Sequence, residues 1–136
     1  MEFIRQVVVF DAFDVEASSS FWAGFLDGFV LKDKDGTWHS VFDKHNKWVI
    51  GIQFSKDHIR PNWPNGEKQQ VHLDFHVLDF ESAHSKVMGL GATILKEWED
   101  TNSPHGFQVY ADPAGHPFCL GWGHPTNVEL DSFFVN

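Results

Sequence analysis

Val71-His72-Leu73-Asp74-Phe75-His76-Val77-Leu78-Asp79 is the stretch from which the fold can be read. Apolar and polar residues alternate strictly from Val71 to Val77, the period of a strand with one buried face. The run stops at Asp79, which reads as a helix N-cap. Its carboxylate accepts from the orphan amides of the first turn, and Glu81 adds negative charge at the positive end of the helix dipole. Ala83, Val87, Met88 and Leu90 then supply an apolar stripe, and Gly91 ends the helix. Strands are predicted downstream at about Ala92 to Trp98, Phe107 to Ala111 and Pro117 to Trp122. The last two are joined by Asp112-Pro113-Ala114-Gly115, a strong turn signal. The whole segment is a βαβββ unit.

The same unit lies upstream. Gln6-Val7-Val8-Val9-Phe10 is a β-branched and aromatic run leading to Asp14, a second cap with Glu16 behind it. Ala17, Phe21, Trp22, Phe25 and Leu26 fall at helical spacing, and Asp27-Gly28 closes the helix. Strands follow at Phe29 to Lys32, Trp38 to Phe42 and Trp48 to Phe54, separated by Asp35-Gly36 and by a polar turn around His45-Asn46. A shift of 65 positions pairs Phe10 with Phe75, Asp14 with Asp79, Glu16 with Glu81, Ser20 with Ser85 and Gly24 with Gly89; two residues shorter, it aligns Gly28 with Gly91. Chance similarity is the competing explanation, because Asp caps and Gly terminators are common. Between the units, residues 56–68 hold two prolines, two asparagines and a glycine without periodicity, which predicts a surface linker. The expected organisation is one domain over residues 1–136: a first module at about 6–55, the linker 56–68, a second module at about 69–122, and a C-terminal tail at 123–136.

With 136 residues and 42% hydrophobic content, the chain suffices for one compact core. Fourteen Phe and six Trp predict ring packing in that core and in a pocket or subunit contact. A net charge of −9 repels phosphate backbones and anionic lipid, so no nucleic acid and no membrane partner is expected. Cys119 is the only cysteine, which excludes an intrachain disulfide and a thiolate-built structural zinc site. The first residues lack a basic segment followed by an apolar one, and no apolar run approaches the roughly 20 residues of a membrane span. A cytoplasmic location is the expectation.

Three stretches together resemble the glyoxalase-like branch of the vicinal oxygen chelate superfamily, which includes glyoxalase, bleomycin-resistance and extradiol dioxygenase proteins. They are Val9-Phe10-Asp11-Ala12-Phe13-Asp14 leading to Phe21-Trp22-Ala23-Gly24-Phe25-Leu26; Val71 to Asp79; and Ala111-Asp112-Pro113-Ala114-Gly115-His116-Pro117-Phe118-Cys119-Leu120. They occur in the family order and cover nearly residues 6 to 122. The resemblance implies an α+β fold in which two tandem βαβββ modules form a curled eight-stranded mixed sheet around a cavity, with the helices outside. It also implies a homodimer, in which pairing or swapping of halves often completes the cleft.

Strand alternation puts His72, Asp74 and His76 on one face, opposite Val71, Leu73, Phe75 and Val77. The polar face is expected to look into the cavity. Val7, Val9 and Asp11 on the first strand, Val49, Gly51 and Gln53 on the fourth, and Cys119 and Gly121 on the last are placed likewise. Asp11, Gln53, His72, Asp74, His76 and Cys119 are thus the expected polar lining. Metal-using relatives coordinate a divalent ion from the first and last strand of each half, so the resemblance implies Val7, His72, Gln53 and Cys119 as the corresponding positions. His72 matches a ligand and Gln53 is a weaker one. Val7 has no donor, and Cys119 stands where the motif usually brings a Glu. This set matches poorly the oxygen- and imidazole-rich sites of the family.

Plainer assignments stand beside these. His72 is equally read as a hydrogen-bonded cavity histidine, and Cys119 as a small buried hydrophobe. Asp14 and Asp79 are caps, while His105, His116 and His124 are expected to be solvated loop residues. Helix Trp and Phe belong to the core; Trp38, Trp48, Trp63 and Trp98 are candidates to frame an aromatic cleft.

Two functions from different classes follow. The first is metal-independent binding of an aromatic or cationic small molecule in a ring-lined cavity. The second is a metal-dependent lyase, isomerase or dioxygenase with His72 as the catalytic group, acting as ligand or as acid and base; a divalent ion is then its cofactor. A ligand-free interaction module is disfavoured, since inward polar residues cost stability unless satisfied.

Overall fold

A computed structural model describes residues 1–123. The element order is β1 (Val8–Ala12), α1 (Val15–Phe25), β2 (Phe29–Lys32), β3 (Trp38–Phe42), β4 (Trp48–Phe54), β5 (Leu73–His76), α2 (Phe80–Gly89), β6 (Thr93–Lys96), β7 (Gly106–Ala111) and β8 (Pro117–Trp122). Two four-stranded mixed sheets result, in the orders β1-β4-β3-β2 and β5-β8-β7-β6. In each, the first strand pairs parallel with the last and the other pairs are antiparallel. The expected α+β fold of two βαβββ modules is therefore observed, with the same topology twice.

Both helices start where the sequence places them. Asp14 Oδ1 accepts from Ala17 N at 2.9 Å, and Asp79 Oδ1 accepts from Ser82 N at 3.1 Å. Their ends differ. After α1 it is Asp27 that takes the left-handed conformation, at φ 52°, while Gly28 is needed because a Cβ there would lie 1.7 Å from the Phe42 carbonyl oxygen. After α2, Gly91 itself turns left-handed, at φ 100°.

The helix-facing sides of the strands form one continuous core. Ala12, Val41, Ile50 and Ile52 of the first module join Tyr110, Phe118 and Leu120 of the second around Phe21 and Trp22. Trp22 is fully buried, 5.5 Å from Phe10, 5.3 Å from Phe118 and 6.0 Å from Phe75 between ring centroids. Its indole Nε1 donates to Asp112 Oδ2 at 2.9 Å, so a helix of the first module closes onto the β7–β8 turn of the second.

Three sequence expectations need correction. Met88, expected in the apolar stripe of α2, is 38% exposed. The strand predicted from Val71 starts only at Leu73, paired with Phe118. The partner position for His72 would be Pro117, which has no amide hydrogen to give to the ladder. The strand predicted through Trp98 stops at Lys96, after a register shift in the β6–β7 pairing. Ring contacts to Phe107 at 5.0 Å and Trp122 at 6.2 Å hold Trp98 beyond the strand end.

Candidate functional site on the sheet faces turned from the helices

On β1, Phe10 and Ala12 face α1, which leaves Val9 and Asp11 on the other face. The same parity places Gly51 and Gln53 of β4, Trp38, Ser40 and Phe42 of β3, and Phe29 and Leu31 of β2 there. The ladder sets Asp11 beside Gln53 and Val9 beside Gly51. A Cβ on Gly51 would lie 2.4 Å from the Trp38 ring, so the missing side chain is what lets that indole lie on the sheet. Trp38 meets Trp48 edge to face at 6.3 Å, and Phe42 stacks on Phe29 at 4.9 Å and 5°. The Arg5 guanidinium sits 4.9 Å from the Trp48 ring centroid, an intrachain cation–π contact on that ring.

The corresponding face of the second sheet is more polar. Phe75 packs against α1, so Asp74 and His76 project the other way. Asp74 is laddered with Cys119 and His76 with Gly121, and His76 Nε2 lies 3.3 Å from Asp74 Oδ2. The Cys119 thiol is pushed up to about 11 by burial and then by the charge of Asp74, so it stays protonated at neutral pH. The structure thus brings together Asp11 with Gln53, and Asp74 with His76 and Cys119. His72 is exposed and lies just outside β5.

The four positions that the resemblance implies for a metal do not fit one. Val7 carries no donor, Gln53 offers a neutral amide, Cys119 a thiol in place of a carboxylate, and His72 stands off the strand. Among the described residues no group of three or more His, Cys, Asp or Glu is placed to hold a metal ion. No helix among them is long and apolar enough to cross a membrane.

Other functional-looking residues escaped the sequence reading. His116, expected to be solvated, stacks on Phe10 at 4.8 Å and donates from Nε2 to the Asp11 carbonyl at 2.8 Å. His124 lies outside the described residues. Between helix and sheet, Ser19 Oγ and His39 Nδ1 are 2.7 Å apart, and His39 Nε2 is 3.8 Å from Glu16 Oε1. This imitates a nucleophile, base and acid, yet only Glu16 and His39 line the neighbouring cleft, and the buried Ser19 hydroxyl does not. The second module has a counterpart: Tyr110 Oη is 2.7 Å from His84 Nδ1 and accepts from Gln108 Nε2 at 3.0 Å. Burial raises the Tyr110 phenol to about 12, so it is a donor and not a phenolate. The alternation of Trp38-His39-Ser40 and of Gln108-Val109-Tyr110 could have placed these groups on the helix side.

Comparison with known proteins agrees with this fold. Among curated proteins no sequence match is found. The chain resembles in structure a glyoxalase/bleomycin resistance protein/dioxygenase family enzyme from Burkholderia phytofirmans PsJN, with TM-score 0.62 and 15% identity over 87% of this chain and 97% of that one. The fosfomycin resistance protein FosX from Mesorhizobium loti gives TM-score 0.65 and 17% identity over 96% and 98%. FosX from Listeria monocytogenes, complexed with Mn(II) and sulfate ion, gives 0.60 and 14% over 91% and 95%. At such identities these likenesses speak for the fold alone. A family model described as a glyoxalase-like domain matches residues 7–121, most of the sequence, and with the twice-repeated βαβββ topology it shows that the chain belongs to the glyoxalase-like family of the vicinal oxygen chelate superfamily.

Proposed function

We propose that this protein binds a small aromatic or cationic molecule on the sheet faces turned from its helices, without needing a metal ion. The observation that carries this reading is the aromatic floor of Trp38, Trp48, Phe42 and Phe29 on the same face as the Asp11 carboxylate and Gln53. Flat rings give a large contact area at little entropic cost, and a carboxylate at their edge favours a positive guest. Asp74 and His76 would orient polar groups of the ligand from the second sheet, with His72 at its margin.

The faces are open in the single chain: Val9, Phe29, Leu31 and Phe107 are each at least 40% exposed. A homodimer whose partner covers them is part of the proposal, and so is a cytoplasmic location. The expected result is saturable quenching of tryptophan fluorescence by benzyltrimethylammonium, weakened about tenfold in Trp38→Leu, a loss of roughly 1.4 kcal/mol. Binding that survives Trp38→Leu unchanged sinks the placement. A stoichiometric divalent ion in purified protein, lost in His72→Ala, would instead favour the metal-dependent lyase, isomerase or dioxygenase. Light scattering showing a monomer at micromolar concentration would remove the dimer.

A further inference from the structure

We propose a second binding site, for a small carboxylate with an apolar body, in the cleft where the first turn of α1 meets the linker and the β7–β8 turn. The cleft holds about 250 Å3 and is built from residues other than those of the aromatic floor.

Its defining feature is Ser18. The side chain is 1% exposed, lines the cleft, and its Oγ has no hydrogen-bond partner. A buried hydroxyl left this way is costly, and a ligand oxygen in the cleft would answer it. A second donor stands beside it. Arg60 spends one N–H on the Pro113 carbonyl, from Nη1 at 2.7 Å, which fixes the guanidinium while its other N–H groups stay available. His58 Nε2 donates to the Ala114 carbonyl at 2.8 Å, which holds the ring as part of the wall with Nδ1 as an acceptor.

The helix terminus adds positive potential. α1 has eleven residues, and its N-terminus presents the positive end of the peptide dipoles to the cleft. Asp14 also lines it, with one carboxylate oxygen committed to Ala17 N, so the formal charges of Asp14 and Arg60 in the lining cancel. Serine hydroxyl and guanidinium are donors that a carboxylate matches with its two oxygens. The walls set the rest of the molecule: Phe13, 64% exposed, and Pro113 offer apolar surface, and the volume suits a body of one ring.

The test is a titration of 15N-labelled protein with sodium benzoate, with benzylammonium chloride as the opposite-charge probe and sodium chloride at matched ionic strength. Benzoate is expected to give saturable shifts at the amides of Ala17, Ser18 and Ala114. Binding should weaken about tenfold in Arg60→Gln and about threefold in Ser18→Ala, and stay unchanged in Trp38→Leu. Ser18→Ala removes a single oxygen, so it keeps the test decisive if Arg60→Gln disturbs the linker. No saturable shift, equal shifts from sodium chloride, preference for benzylammonium, or undiminished binding in Ser18→Ala would each overturn the site; the last would mean that water alone satisfies the hydroxyl.

Discussion

The two modules share a topology but use their helices differently. α1 buries Val15, Ser18, Ser19, Phe21, Trp22 and Ala23, whereas α2 buries only Val87. α1 packs on its own sheet and also reaches Phe75 and Phe118 of the other, so it serves both halves. α2 covers one sheet and leaves Met88 in solvent. Repetition of chain topology therefore does not imply repetition of load: one copy became the interior and the other a cover.

The strongest challenge to this comparison is Trp22→Ala, expected to destabilise the fold by about 3–5 kcal/mol in urea unfolding, and more if Asp112 Oδ2, left without its donor, finds no water. Val87→Ala, the best-buried position of α2, is expected to cost about 2 kcal/mol. Equal losses would mean that the helices are equivalent after all.

The repeat-related glycines sharpen the point. A Cβ on Gly24 would meet Leu90 Cδ2 at 2.6 Å, while one on Gly89 meets nothing within 4 Å. Gly89→Ala is thus expected to raise stability by about 0.5 kcal/mol, read as a higher unfolding midpoint, and Gly24→Ala to give less or none.

The smallest effect concerns the caps. Asp79 accepts from both Ser82 Oγ, at 2.7 Å, and Ser82 N; Asp14, facing Ala17, has only the amide. The Ser82 hydroxyl and then its amide hold the Asp79 carboxyl below its ordinary value. These bonds stabilise the fold above the usual carboxylate range, and the contribution is lost as pH falls through the lowered value. The gap between wild type and Asp79→Asn in thermal melts should accordingly narrow on acidification below about pH 4. A gap that stays constant would dissociate the cap from its ionisation.

Much of this was legible in the sequence because it rests on local chemistry. The Asp14 and Asp79 caps, the alternation in β5 and the turn after Asp112 each declare themselves within a few residues. Asp74 and His76 were placed on the correct face by parity alone. The missed parts depend on partners distant in the chain. Pro117 decides where β5 begins and so leaves His72 outside it; Asp11 gives His116 a carbonyl to bind; Arg60 and Pro113 make a cleft for Ser18 that no periodicity announces. Whether six dispersed polar residues form one pocket or two patches depends on the packing of sheets, on which alternation is silent.

The bond from the Trp22 indole to Asp112 carries one more consequence. Cutting the polypeptide between the repeats would strip the first fragment of the partner for its largest ring and leave the Asp112 carboxylate in the second with only the His116 amide among the described residues. Each half alone would expose part of the core it shares with the other, so separately produced halves are expected to associate rather than fold independently.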